Sequence, residues 1–180
     1  MLIKFNKINN IIPIIKIQYN LSQICLTTYI SYFKTTLHIF KNHFKYNFKI
    51  LTAISCTDYL KNLNRFSIFY EILSIKYNNR LRLKILTNEL LPIYTIKSIY
   101  ISAIWWEDEI WDLFGVTFLK RKNLIRLLTD YGFIGFPLRK DFPLSGFNDC
   151  KYSLITNKIC YNNLETAQKI RNFYFASPWL

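Results

Sequence analysis

Few side chains in this sequence have the type and spacing to do chemistry. Cysteines stand at 25, 56, 150 and 160, and histidines at 38 and 43. A zinc or iron–sulfur centre requires closely paired ligands, as in C-x-x-C, and no two of these cysteines are that close. Thiols scattered in this way read as buried, reduced side chains that pack as small hydrophobes. His38 and His43 lie about 140° apart around a helix, unlike the facing pair of an H-E-x-x-H metal site. No histidine follows position 43, and neither a P-loop nor a G-x-G-x-x-G fingerprint occurs. Carboxylates gather once, at Glu107, Asp108, Glu109 and Asp112. A proton relay would need these acids buried and shifted in pKa, whereas carboxylates along a helix are ordinarily solvated or salt-bridged. The expectation is a chain with no catalytic residue, no metal ligand set and no cofactor of its own.

The elements that carry these residues can be read from pattern. Residues 21–46 keep a loose three-to-four spacing through Leu21, Ile24, Thr28, Tyr32 or Ser31, Thr35, Ile39 and Phe40, which predicts a helix. Residues 48–57, 66–75 and 80–87 read as strands. In the third, Leu81, Leu83 and Ile85 alternate with Arg80, Arg82 and Lys84, placing one row inward and the cations outward. Tyr77-Asn78-Asn79 before it is hairpin chemistry, because asparagine tolerates positive φ. A second helix is expected over 96–114, where Ile96, Ile99, Ala103, Trp106, Ile110 and Leu113 form a core stripe. Its opposite side carries Ser98, Ser102, Trp105, Glu109 and Asp112, and Gly115 stands where a helix ends. Trp105 on that polar side is either shielded by the chain's own loops or offered to a partner.

Composition bounds the whole. The chain has 180 residues, 51% of them hydrophobic, enough for one compact domain and some unattached sequence. Its net charge is +13, with no acid before Asp58, which suits nucleic acid, an anionic membrane surface or an acidic protein face. The longest uncharged run, between Lys16 and Lys34, is too short and too polar to span a bilayer. No secretory leader or arginine-rich transit pattern is recognisable at the N-terminus. All four glycines fall between 115 and 146, so the character changes after Phe118. The expected architecture is α+β: a basic arm over 1–20, a two-layer domain of helices on a mixed sheet over 21–119, and an extended segment over 120–180. Such a segment, aromatic yet coreless, must be ordered by something else.

Within it, "GFPLRKDFPL" (135–144) repeats Phe-Pro-Leu around Arg139-Lys140-Asp141. Pro137 and Pro143 exclude helix and central strand, leaving an extended ribbon. Phe136, Leu138, Phe142 and Leu144 would then seat it on a partner. Arg139 and Asp141 would share one side, with Lys140 pointing away.

Three stretches together resemble one family: "EDEIWDLFGVTF" (107–118), "RLLTDYGFIGFPLRKDFPL" (126–144) and the terminal "RNFYFASPWL" (171–180). The family is the thirty-kilodalton peripheral-arm subunit of respiratory complex I, numbered subunit 9 when mitochondrially encoded and present also in the bacterial enzyme. Asp58, Arg65-Phe66, "YEILS" at 70–74, "YNNR" at 77–80 and Glu89 also match its pattern. Three departures stand out, one being that the usual Glu and His of the ribbon are here Ile134 and Phe136. The family's Glu-Arg-Glu is here Glu107-Asp108-Glu109, and its His-Pro-Asp-Leu-Arg-Arg is Arg121-Lys122-Asn123-Leu124-Ile125-Arg126.

The resemblance implies a non-catalytic core subunit that binds no flavin, cluster, nicotinamide or quinone itself. It would scaffold the quinone-reducing module on the matrix side of the mitochondrial inner membrane. Its tail would wrap neighbouring subunits, especially the cluster-free quinone-module subunit. Trp105, Glu109, Asp112, the ribbon from Phe136 to Leu144 and Trp179 are the candidate partner contacts. The rival reading is an organellar nucleic-acid binder such as a ribosomal protein, supported by the charge and by Gly132-Phe133-Ile134-Gly135, which superficially matches a KH loop. Against it, Pro137 follows that tetrad and the lysines are dispersed rather than striped.

Overall fold

Alternation is the organising feature of the folded chain. The computed structural model describes residues 12–19, 23–166, 168–169, 171–177 and 179. Five strands form one mixed sheet in the order β1 (Ile14–Tyr19), β2 (Ile24–Thr28), β5 (Asn79–Thr87), β4 (Phe66–Ser74), β3 (Ile50–Asp58). β2 and β5 run parallel, and the other neighbours are antiparallel. On the inner face Phe66, Ile68, Tyr70 and Ile72 meet Leu81, Leu83, Ile85 and Leu26, all buried. The outer face carries Phe69 and Glu71 beside Arg82 and Lys84, as the alternation in 80–87 requires. The turn before β5 places Asn78 at φ 49, in the left-handed region expected of it.

Two helices cover the inner face. α1 (Phe33–Asn42) buries Phe33, Leu37 and Phe40, and the Phe33 ring sits 4.4 Å from that of Tyr70. α2 (Ala103–Phe114) buries Ala103, Ile110 and Phe114, with the Phe114 ring 6.4 Å from that of Phe66. A short parallel pair, β6 (Ile93–Tyr94) with β7 (Phe118–Leu119), brackets α2. The compact unit reaches Phe142, and a second unit begins at Pro143. That second unit contains the hairpin β8 (Asn148–Ser153) and β9 (Lys158–Asn163). The class is α+β, as expected.

Several boundaries differ from the sequence reading. The helix expected over 21–46 is split: Ile24–Thr28 is a strand and the helix starts at Phe33. Parallel pairing with β5, distant in sequence, outweighs a weak local periodicity in a segment rich in β-branched residues. Part of the expected N-terminal arm is strand β1, and Ile12 is buried in the core, while residues 1–11 lie outside the described residues. Ile96 and Ile99 are buried as expected but precede α2 in turns, since Ile99 and Tyr100 both donate to the Ile96 carbonyl. The domain does not end near 119, because residues 121–142 fold back onto α2 and the sheet edge.

Candidate functional site: a charged junction at the end of α2

Helices leave their last four carbonyls without intrahelical partners. At α2 each of the four is answered. Gly115, left-handed at φ 75, donates its N–H to the Trp111 carbonyl. The Asp112 carbonyl accepts from Arg126 at 3.5 Å, the Leu113 carbonyl from the Leu138 N–H at 3.1 Å, and the Phe114 carbonyl from Arg139 Nε at 2.6 Å. The ribbon around Pro137 is therefore the C-terminal cap of α2, and two arginines complement the negative end of its dipole. A Cβ at Gly115 would come within 2.6–2.7 Å of Arg139 and Phe136, so glycine is needed for space as well as for φ.

Beneath the cap, Asp112 has no exposure. Its Oδ2 accepts from the backbone N–H groups of Leu127, Leu128 and Thr129 at 3.1, 2.8 and 3.1 Å. Its Oδ1 accepts from the Thr129 hydroxyl at 2.6 Å and from Arg126 at 3.0 Å. Burial pushes this carboxyl up, but the Thr129 hydroxyl, the two strongest N–H donors and Arg126 outweigh it, and the net pKa is lowered. Arg126 in turn lies over the rings of Trp111, Phe133 and Phe136.

The other acids of α2 are equally engaged. Glu107, also without exposure, accepts from the Thr95 hydroxyl at 2.6 Å and the Ile96 N–H at 2.8 Å, which ties β6 to the helix. Burial dominates here and raises its pKa, with those two donors and Arg121 opposing. Asp108 pairs with Arg121 at 2.6 Å, both side chains nearly buried. Asp108 and Arg121, one from each of two stretches that depart from the resembled pattern, are thus partners. The sequence reading expected solvated or salt-bridged carboxylates on α2; Asp108 and Asp112 are salt-bridged, but together with Glu107 they are buried. Only Glu109 is partly exposed.

A second cluster joins the ribbon to the sheet edge. Arg65 binds Asp58 bidentately at 2.7 and 2.8 Å, pairs with Glu89, and reaches Asp141 at 3.0 Å. The Lys140 N–H donates to Asp58 at 2.9 Å. Arg139 lies over Phe136 and Phe66, and also approaches Glu89. Hydrogen bonding to Arg65 holds both Asp58 and Asp141 below the usual carboxylate range.

The ribbon is thus not the extended strip that its prolines led the sequence reading to expect. Turns close it, with Arg139 donating to the Phe136 carbonyl and Phe142 to that of Arg139. Phe136 and Phe142 pack within the same unit, the latter beside Phe133 and against Gly135. Leu138 and Leu144 are exposed, as are Trp105 and Trp179. The proline restraint made an extended strip the natural reading; consecutive turns satisfy the same restraint. Sequence reasoning also missed Asp58, Arg65, Arg121, Arg126 and Thr129 as members of the junction. One signal was available: an acid in the last turn of a helix faces the wrong end of the dipole, so Asp112 required dedicated donors.

Among the described residues no group of three or more His, Cys, Asp or Glu is arranged to hold a metal ion, and no helix is long and apolar enough to cross a membrane.

The profile of the family described as "Respiratory-chain NADH dehydrogenase, 30 Kd subunit" matches residues 27–148, a span that contains the whole junction. The chain belongs to this family. It is 41% identical over 166 residues to NADH-ubiquinone oxidoreductase subunit 9 of Prototheca wickerhamii, covering 91% of this chain and 86% of that one. It is 42% identical to subunit 9 of Reclinomonas americana, covering 79% of this chain and 70% of the relative. NADH dehydrogenase [ubiquinone] iron-sulfur protein 3 of Beta trigyna is 44% identical, with 77% and 72% covered. Among solved structures, a chain of the membrane-bound sulfane sulfur reductase, an archaeal respiratory membrane complex, shares the fold with a TM-score of 0.67 at 21% identity, over 77% of this chain and 83% of that one.

Proposed function

We propose that this member of the thirty-kilodalton family is a non-catalytic core subunit of mitochondrial complex I. It scaffolds the quinone-reducing module of the peripheral arm on the matrix side of the inner membrane. It binds no cofactor itself and supports electron transfer from NADH to ubiquinone by holding its neighbours in place.

The observation that carries this reading is the state of the carboxylates. Glu107, Asp108, Asp112 and Asp58 are each saturated by donors from the chain's own backbone, hydroxyls or arginines. Acid–base catalysis needs a group free to exchange a proton with substrate, and these groups are committed to joining one segment to another. The second unit supports the partner role. Phe173, Tyr174, Phe175 and Trp179 are exposed there, with Tyr174 and Trp179 each 92% accessible, and a lone chain gains nothing by leaving such a cluster in water. Leu138, Leu144 and Trp105 extend the set of apolar contacts available to the neighbouring cluster-free subunit.

The test is a chain truncated after Phe142 and expressed in place of the full one. The compact unit should fold and the assembled complex should be lost from native gels, together with NADH:ubiquinone activity. Assembly of normal amounts of complex would overturn the tail's role. A stoichiometric flavin or iron–sulfur spectrum from the purified full chain would overturn the cofactor-free reading.

A further inference from the structure

We infer that the open outer face of the five-stranded sheet is a docking surface for an acidic, extended polypeptide segment of another protein. Both helices lie on the inner face, where Tyr70 and Phe66 meet Phe33 and Phe114. Strand register brings Lys16 of β1, Arg80, Arg82 and Lys84 of β5, and Phe69 and Glu71 of β4 to the other face. Lys16 opposes Thr27, which opposes Lys84, which opposes Phe69, so one row crosses four strands. Lys16 and Arg80 are exposed, and Arg82 and Lys84 partly so.

The charge on this face is unbalanced. Glu71 is its single carboxylate among the described residues, and it is already paired with Arg82. Among the described residues, three cations remain without a carboxylate on a face that no helix covers. Facing potentials of opposite sign are what select and orient partners, so the complementary surface is anionic.

The geometry selects the class of anion. Alternate residues of a strand stand about 6.6–6.8 Å apart, so Arg80, Arg82 and Lys84 repeat at the interval at which an extended peptide presents every second side chain. Stacking with bases would require an open aromatic face. Phe69 is instead attended by Arg82 at 5.6 Å and Lys84 at 5.4 Å, so its ring is taken up within the sheet. Insertion into a lipid interface would require bulky apolar side chains standing clear of the face. Phe69 is only partly exposed, and Cys25 and Thr27, opposite Arg82 and Lys84, are each 6% exposed.

The experiment uses the full chain and a fluorescein-labelled octapeptide of alternating glutamate and valine, read by fluorescence anisotropy at about 50 mM salt, where charge contacts are weakly screened. An octauridylate and vesicles of phosphatidylcholine with cardiolipin run in parallel. The face variant Lys16→Glu/Lys84→Glu is compared with Lys61→Glu/Lys97→Glu, an equal change of net charge at exposed positions outside the face. The face variant should lose about tenfold or more in affinity for the peptide, and the off-face variant less than about twofold. Equal losses in both variants would show that net charge alone binds the peptide, and would overturn the proposal. So would tighter binding of octauridylate or vesicles that the face variant abolishes, since the face would then serve RNA or lipid. If charge reversal unfolds the domain, Lys16→Gln/Lys84→Gln keeps the stems in place and should still weaken peptide binding several-fold; unchanged binding in that variant counts against the site.

Discussion

Removing the carboxyl of Asp112 should detach the 126–135 segment from α2 before it damages anything else. The side chain is fully buried and accepts from three backbone N–H groups, one hydroxyl and Arg126. Hydrogen bonds to a charged group are worth roughly 1.5–3 kcal/mol each and do not add. Breaking a buried ion pair by deleting one partner costs about 3–5 kcal/mol. Arg126 is 25% exposed and regains some hydration, which brings the figure toward the lower end. Asp112→Ala is therefore expected to lose about 3–4 kcal/mol. Asp112→Asn, which keeps an acceptor oxygen but not the charge, should lose about half of that. Glu109→Ala, in the same helix with its carboxyl partly exposed, should stay within about 0.5 kcal/mol of the parent. Urea denaturation of the full chain reads these differences, and hydrogen exchange at Leu127–Thr129 reads the local detachment. Asp112→Ala within about 0.5 kcal/mol of the parent, or exchange at those three amides no faster than before, would refute the account of this residue as the anchor.

Four further outcomes follow from the same contacts. Asp108→Arg alone should cost about 3–5 kcal/mol by facing Arg121 with a like charge, and adding Arg121→Asp should recover most of it in a double-mutant cycle. Gly115→Ala should cost well over about 1 kcal/mol in thermal or urea melts, because a left-handed φ and a close approach to Arg139 and Phe136 are penalised together. Arg139→Ala and Asp141→Ala should lower the stability of the isolated chain as well as the yield of assembled complex, while Lys140→Ala, which leaves the backbone donor to Asp58 intact, should be milder in both assays. Acid titration should show stability falling as pH drops through the lowered folded pKa values of Asp58, Asp112 and Asp141, whose contribution is fully present only above the ordinary carboxylate value of about 3.9. Glu107 has the opposite sign, its pKa being raised, so Glu107→Gln should make the acid loss steeper rather than shallower.

The parts of the fold that were legible in sequence are those where local chemistry and tertiary packing agree. The row Leu81, Leu83, Ile85 against Arg80, Arg82, Lys84 had one reading as a strand, and Asn78 and Gly115 marked the backbone reversals where positive φ occurs. Strand β2 was illegible because it is held between β1 and β5, the latter more than fifty positions away, and nothing within Ile24–Thr28 announces the parallel pairing. The C-terminal half of the junction failed for a related reason. Arg126, Thr129 and Leu138 are ordinary loop residues until α2 supplies a buried carboxylate and four open carbonyls for them to meet. The Phe-Pro-Leu repeat invited one apolar role for all four large side chains, yet in both copies the phenylalanine is half-buried in its own unit and the leucine is exposed.

The salt bridges among the described residues are all made by arginine, which explains how so basic a chain keeps a defined interior. Arg65, Arg82, Arg121, Arg126 and Arg139 supply the positive ends of the ion pairs, with Arg65 and Arg121 only 11% and 9% exposed. A guanidinium offers several donors in a fixed plane and sheds water more readily than an ammonium, so one arginine can serve two or three carboxylates and an aromatic ring at once. Arg65 does so with Asp58, Glu89 and Asp141, and lies over Phe66. Lysine pays a larger desolvation cost for a single point charge, and Lys16, Lys61 and Lys97 accordingly stand in solvent. Asp58, Asp108 and Asp112 are neutralised inside by arginine, and the surplus behind the net charge of +13 includes lysines that remain outside. An excess of that sign and position is of little use to a folded monomer, whose own charges repel. It becomes favourable when an anionic neighbour is in place, which is the condition of a subunit built to be held in an assembly.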